Sequence, residues 1–141
     1  MKLLLDVNVF MDILERRDGW VESLAVVRYC QQGSFTGYIS ALTFPIIYFL
    51  RRRRFDENQA RDDTHKIASG MQVIALTDEI IENSRESSLP DFEDAIQFFS
   101  AENAEVDYVV TRNKKHFAQE KIAVATPGEF LKATMPPEKQ E

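Results

Sequence analysis

Residues 3–14 read LLLDVNVFMDIL: three leucines, an acid, and then apolar residues at helical spacing. The run Lys2 to Leu5 is short and apolar like a buried strand, and a helix is expected from Val9 to about Glu15. Asp6 therefore closes a strand, with Val7 and Asn8 directly after it. A carboxylate at the rim of a sheet is partly desolvated, which is costly unless it is paired or meets a cation. Asp6 or Asn8 can equally well cap the helix that follows.

The alternation begun here continues along the chain. A second helix is predicted from about Trp20 to Gln32, with Val21, Leu24, Ala25, Arg28 and Tyr29 on one stripe and Gly33 as its stop. Thr36 to Ile39 reads as a strand. Helices over Leu42–Arg53 and Asp56–Ser69 follow, with Pro45 in a first turn, where proline is tolerated. Met71 to Ala75 reads as a strand and Asp78 to about Ser87 as a helix. A break at Pro90 precedes a helix from Asp91 to Asn103, with Phe92, Ala95, Ile96 and Phe99 on its inner face. Tyr108–Val110 and Ile122–Ala125 complete the strands, and Pro127 opens a last short helix. Short apolar strands separated by helices predict a parallel sheet covered on both faces. Right-handed crossovers bring all strand C-termini to one edge, where such sheets bind ligands. Asp6, Ser40, Thr77, Thr111 and Thr126 all follow strands, and so should gather there.

The length of 141 residues suits one domain with a real core. We expect it to occupy residues 1–132, with 133–141 a polar C-terminal tail. No apolar run approaches the ~20 residues that span a bilayer, so no membrane partner is expected. Cys30 is the sole cysteine, which precludes an intrachain disulfide and suits a reducing, cytoplasmic setting. On a helical stretch it reads as a small buried hydrophobe. The net charge of −6 runs against phosphate binding through Lys and Arg alone. Metal bound to clustered carboxylates would offset it, and Arg51 to Arg54 concentrate positive charge in one block. That block could track an RNA backbone or simply complement a helix C-terminus. The absence of a glycine-rich phosphate loop argues against nucleoside-triphosphate chemistry.

Three pieces could build a site. Asp91 and Asp94 lie three apart and so share a helix face. With Asp6 they would offer an oxygen-rich site suited to Mg²⁺ or Mn²⁺. Taken alone, Asp91 is also a good N-cap and Asp94 suits the helix dipole. Thr111-Arg112-Asn113 leaves a buried strand and supplies neutral oxygens. His65 and His116 read as surface or helix-end residues, and with no second histidine at ligand spacing zinc is a poor reading. Tyr48, Phe49, Phe98 and Phe99 read as core or subunit contact.

The segments LLLDVNVFMDIL, ISALTFPIIYFLRR, DFEDAIQFF, DYVVTRNKKHF and ATPGEFL occur in an order that resembles the PIN-domain family, nearest its VapC-like branch. The resemblance covers residues 2 to 131. It implies a three-layer α/β/α sandwich with a central, mostly parallel sheet of four to five short strands. It also implies divalent-metal-dependent hydrolysis of RNA by the toxin of a toxin–antitoxin pair, held inactive by an antitoxin, with a homodimer as a further possibility. By position, Asp6 and Asp94 match the family's first and central metal-binding acids, with Asp91 beside them. Asn8 matches the polar position next to the first acid. Thr111 and Asn113 match the strand-end motif, where many members carry aspartate at the position of Asn113. The family's glutamate on the helix after the second strand is replaced by Ile46, preceded by Pro45, and Glu93 could stand in reserve. With fewer anionic oxygens, metal affinity should be weaker. Two functional classes follow: an active ribonuclease, or a degenerate PIN domain that binds RNA or protein without cutting.

Overall fold

The computed structural model describes residues 1–135. Strand β1 (Lys2–Leu5) leads directly into helix α1 (Val7–Glu15), and α2 (Trp20–Gln31) returns to β2 (Thr36–Ser40). The hairpin of α3 (Thr43–Arg52) and α4 (Glu57–Ala68) precedes β3 (Met71–Ile74). Helices α5 (Asp78–Glu86) and α6 (Phe92–Asn103) then lead to β4 (Tyr108–Val110). A single 3₁₀ turn (Lys114–His116), β5 (Ala123–Ala125) and α7 (Pro127–Thr134) complete the described chain. The polar tail expected over 133–141 falls largely outside the described residues.

All five strands are parallel, in the order β3-β2-β1-β4-β5. The pleat sends alternate side chains to opposite faces. Leu3, Leu5, Ile39 and Val110 join one core with Val9, Phe10, Val26 and Phe130 from α1, α2 and α7. Leu4, Ile74 and Val109 join the other, with Ile80 from α5 and Ile96, Phe98 and Ala101 from α6. This is the three-layer α/β/α sandwich expected of the sequence. Edge strand β3 departs from the expectation of two covered faces, since Gln72 is exposed and Val73 is 55% exposed. Among the described residues, no helix is long and apolar enough to cross a membrane.

Helix α2 presents a different face from the one its sequence suggested, and α6 keeps Ala95 and Ile96 of its expected stripe inside but not Phe92. In α2 the buried residues are Ser23, Val26, Val27 and Cys30, and Val21 is exposed. In α6 Phe92 is exposed, whereas Asp94 to Phe98, Ser100 and Ala101 are buried. Helix α6 is enclosed on most of its circumference, so a single apolar stripe could not give its phase. Burying Ile96 and Phe98 stabilises its seat by roughly 1.5–3 kcal/mol each.

Cys30 packs where β2 passes closest to α2, and burial pushes its thiol up to about 11, leaving it an inert hydrophobe. Gly37 of β2 fits against it. A Cβ at that position would lie 2.6 Å from Met71 Sδ and 2.9 Å from Cys30 Sγ. Gly37→Ala should therefore destabilise the protein by about 1–3 kcal/mol through overpacking. Urea unfolding checks this, and an unchanged midpoint would show that the α2–β2 contact can relax.

Candidate active site

The strand order reverses beside β1. The chain steps outward through β2 and β3, then returns to place β4 on the other side of β1. In open α/β sheets that switch point opens a crevice beyond the strand C-termini. Asp6 and Thr111 are the first residues past β1 and β4, so they flank it. The Asp6 backbone N–H still donates to Val110 O at 3.0 Å, and Thr111 N–H donates to Ala125 O at 2.9 Å. Both residues are thus held by the sheet ladder while their side chains leave it.

Asp6 is 1% exposed. Its carboxylate accepts the Val7 N–H at 2.8 Å and the Thr111 hydroxyl at 2.7 Å. It serves as the N-cap of α1, which is why that helix begins at Val7 rather than Val9. Capping and site membership are therefore compatible. Burial, and then the charge of Asp94, push the Asp6 carboxyl up to about 6, against the pull of the Thr111 and Val7 hydrogen bonds. Asp91 adds a smaller upward push.

Asp91 caps α6 by accepting the Asp94 N–H at 2.9 Å, so it too combines a cap with a place at the cleft. Burial raises the Asp94 carboxyl, the His116 hydrogen bond opposes this, and Asp91 adds to it. A cleft of about 230 Å³ gathers Asp6, Asn8, Asp91, Glu93, Asp94 and Asn113 against an apolar wall of Ile46 and Leu50. Ser40, Thr77 and Thr126 stand at the same sheet edge, as expected, but do not line the cleft. Ser40 accepts the Leu42 N–H, and the other two cap α5 and α7.

Sequence reasoning missed two further cleft residues. His116 ends the 3₁₀ turn with a partly exposed side chain, as expected, but its Nδ1 also lies 2.6 Å from Asp94 Oδ2, so the ring reaches the acids. The loop after β4 sets it there. Asn113 N–H folds back onto Thr111 Oγ1, His116 N–H donates to Asn113 O, and buried Phe117 anchors the next residue in the second core. Gln97 is 1% exposed, and its Nε2 donates to Thr43 Oγ1 at 3.0 Å, joining α6 to the start of α3. Its Oε1 is buried without a partner. Spacing offered a signal for Gln97, three residues beyond Asp94 on the same face. His116 offered only its place on the loop that emits Thr111 and Asn113.

Asp91, Asp94 and His116 each present a ligand atom within 4.8 Å of the others; Asp6 lines the same cleft outside this trio. The donor set fits a divalent cation. The carboxyls of Asp6 and Asp94 are raised in part by neighbouring acids, which favours an added positive charge, and the orphaned Gln97 oxygen has unused acceptor capacity.

Arg112 leaves the same loop but turns away, pairing with buried Asp12 at 2.7 Å in a larger groove of about 790 Å³ between α2 and α7. The Arg51–Arg54 block also divides. Arg51 is buried against Asp63 and Glu15, so it is not part of a solvated helix end. Arg53 lies over the ring of Phe49, which is 62% exposed and not core. Phe98 is buried, as expected, and meets Phe99 edge to face.

Comparison with known structures finds the same architecture. A toxin–antitoxin complex from Klebsiella pneumoniae includes a chain 23% identical, with a TM-score of 0.65 over 89% of this chain and 97% of that one. FitAcB from Neisseria gonorrhoeae matches with a TM-score of 0.66 at 17% identity, over 89% and 98%. The Mycobacterium tuberculosis toxin VapC20, described as cleaving the sarcin–ricin loop, matches with a TM-score of 0.62 at 13% identity, over 80% and 92%. Identities this low speak to fold alone. No curated protein matches the chain. The model of the PIN domain, however, matches residues 2–115, so the chain belongs to the PIN-domain family.

Proposed function

We propose that the protein is a divalent-metal-dependent endoribonuclease acting as the toxin of a toxin–antitoxin pair. The observation that carries this reading is the convergence of Asp6, Asp91 and Asp94 on one cleft at the switch point. Three acids with mutually unfavourable charges suit a site completed by a cation rather than a merely structural one. Asp6, Asp91 and Asp94 would hold the ion. A bound divalent cation would supply positive charge that acidifies water and offsets charge on the phosphate.

The chain's own groups would do the rest. The Val7 N–H and the Thr111 hydroxyl fix the Asp6 carboxylate in one orientation. Asn8 and Asn113 line the cleft and offer amide donors to phosphate oxygens. Lys115 precedes His116 in the chain and is exposed, so it would be open to an RNA phosphate. Ile46 and Leu50 form an apolar wall that limits water on one side. An antitoxin partner is supported by the fold shared with the Klebsiella pneumoniae toxin–antitoxin complex.

The alternative is a degenerate domain that binds RNA or protein without cutting. Ile46 favours it, because a family carboxylate is missing from the wall of the cleft. Purified protein incubated with a pool of structured RNAs, with Mg²⁺, Mn²⁺ or EDTA, separates the two. The nuclease reading expects metal-dependent cleavage that falls at least about 100-fold in Asp94→Asn. Intact RNA under every condition would transfer the assignment to the degenerate domain.

A further inference from the structure

We propose that His116 is a nitrogen ligand of the cation site, and that the centre therefore selects Mn²⁺-type transition ions over Mg²⁺. This rests on the reading of the cleft as a cation site and specifies its metal. The imidazole is not a distant neighbour of the acids. Its Nδ1 already stands 2.6 Å from Asp94 Oδ2, and it shares a 4.8 Å cluster with Asp91 and Asp94. Adjacent ligand atoms on an ion with bonds of about 2.1 Å lie about 3.0 Å apart. Admitting the ion therefore asks this pair to open by only a few tenths of an ångström. The 3₁₀ turn and the Phe117 anchor hold the ring on the cleft side while it does so.

An independent observation points to a ligand in the same place. Gln97 Oε1 is buried and unpartnered in a residue that lines the cleft, and its amide is steadied at the other end by Thr43. A buried oxygen without a donor is costly unless something else satisfies it. A cation, or water ordered by one, would do so. The clustered donors are then two carboxylates and an imidazole, with the Asp6 carboxylate and the Gln97 amide in the lining of the same cleft and Ile46 presenting hydrocarbon. Mg²⁺ favours oxygen ligands and dehydrates reluctantly, whereas Mn²⁺, though also suited to carboxylates, is a first-row transition ion that accepts an imidazole more readily. Replacing an anionic oxygen by a ring nitrogen moves the balance away from Mg²⁺. The alternative is that His116 is only a hydrogen-bond partner that occupies the metal's place beside Asp94, in which case removing it would improve metal binding.

The test uses the full chain stripped with EDTA. Mn²⁺ binding is followed by electron paramagnetic resonance and Mg²⁺ binding by competition, for the wild type, His116→Asp, His116→Ala and Asp94→Asn. Thermal melts establish that each variant is folded. Bound Mn²⁺ in the wild type should show the pulsed-resonance coupling of a directly ligated ¹⁴N. His116→Asp should keep an ion but lose that coupling, with the Mn²⁺/Mg²⁺ affinity ratio falling at least about tenfold. His116→Ala should weaken Mn²⁺ more than Mg²⁺. Bound Mn²⁺ without nitrogen coupling, an unchanged ratio in His116→Asp, or tighter binding in His116→Ala overturns the ligand role and leaves the cation site standing. No binding of either ion by the wild type overturns both readings together.

Discussion

Asp6→Asn should abolish metal-dependent RNA cleavage and, in EDTA at pH 8, make the protein more stable than the wild type. The two effects have one origin. In the folded protein the Asp6 carboxyl is pushed from 3.8 up to about 6, first by burial and then by Asp94. A folded-state pKa above the unfolded one means that the native protein binds the proton more tightly. Stability is therefore favoured below about pH 4, falls as pH rises through the window from about 4 to 6, and carries the full cost above it. A shift of about 2 units corresponds to roughly 3 kcal/mol at most. Asparagine keeps one oxygen for the Val7 N–H, turns its amide NH2 toward the Thr111 hydroxyl, which would then accept instead of donate, and carries no charge. The variant's midpoint should rise by several degrees in EDTA at pH 8, and the fall in stability between pH 4 and 6 should flatten. Saturating metal should narrow or reverse the difference, because the ion offsets the charge that asparagine lacks. A variant less stable than the wild type in EDTA at pH 8, together with a flat wild-type profile between pH 4 and 6, would overturn this account of Asp6.

Asp63→Ala should destabilise the protein by about 3–5 kcal/mol, the cost of leaving a buried charge without its partner. Arg51 and Asp63 are 6% and 1% exposed, with Nε and Oδ2 at 2.7 Å. Gln59 donates to the other Asp63 oxygen at 2.9 Å, while Glu15 reaches Arg51 only at 3.5 Å. Losing Asp63 would thus strand the guanidinium between α3 and α4. The double variant Arg51→Met with Asp63→Leu should recover most of the loss, since an apolar pair removes both desolvation costs. Urea unfolding of the single and double variants tests the cycle. A single-variant cost under about 1 kcal/mol would show that water reaches Arg51 once Asp63 is gone.

Much of this architecture is legible in the residues. Lys2 to Leu5, Thr36 to Ile39 and Tyr108 to Val110 are short apolar runs between longer helical patterns, and that alternation is enough to require a parallel sheet. An acid directly after such a run, as at Asp6, must sit at the sheet rim. Asp91 and Asp94 share a helix face by spacing alone. What the spacing of Asp6 and Asp91 left open was whether they cap helices or build a site. The structure shows that both cap and both line the cleft, because the N-termini of α1 and α6 point into the same crevice.

The sequence by itself determined the succession of strands and helices, the edge at which their polar ends collect, and the acids placed there. These follow from local periodicity and chain connectivity, which need no partner from far along the chain. Only the tertiary structure decided that His116 faces Asp94 across 22 residues, that Gln97 meets Thr43 across 54, and that Arg51 is buried by Asp63. It also decided the rotational phase of α2 and α6. These depend on how far each helix rolls as it packs on the sheet, and helix packing is set by side chains on both partners at once. A loop histidine or a mid-helix glutamine carries no local signal of the side chain it will meet.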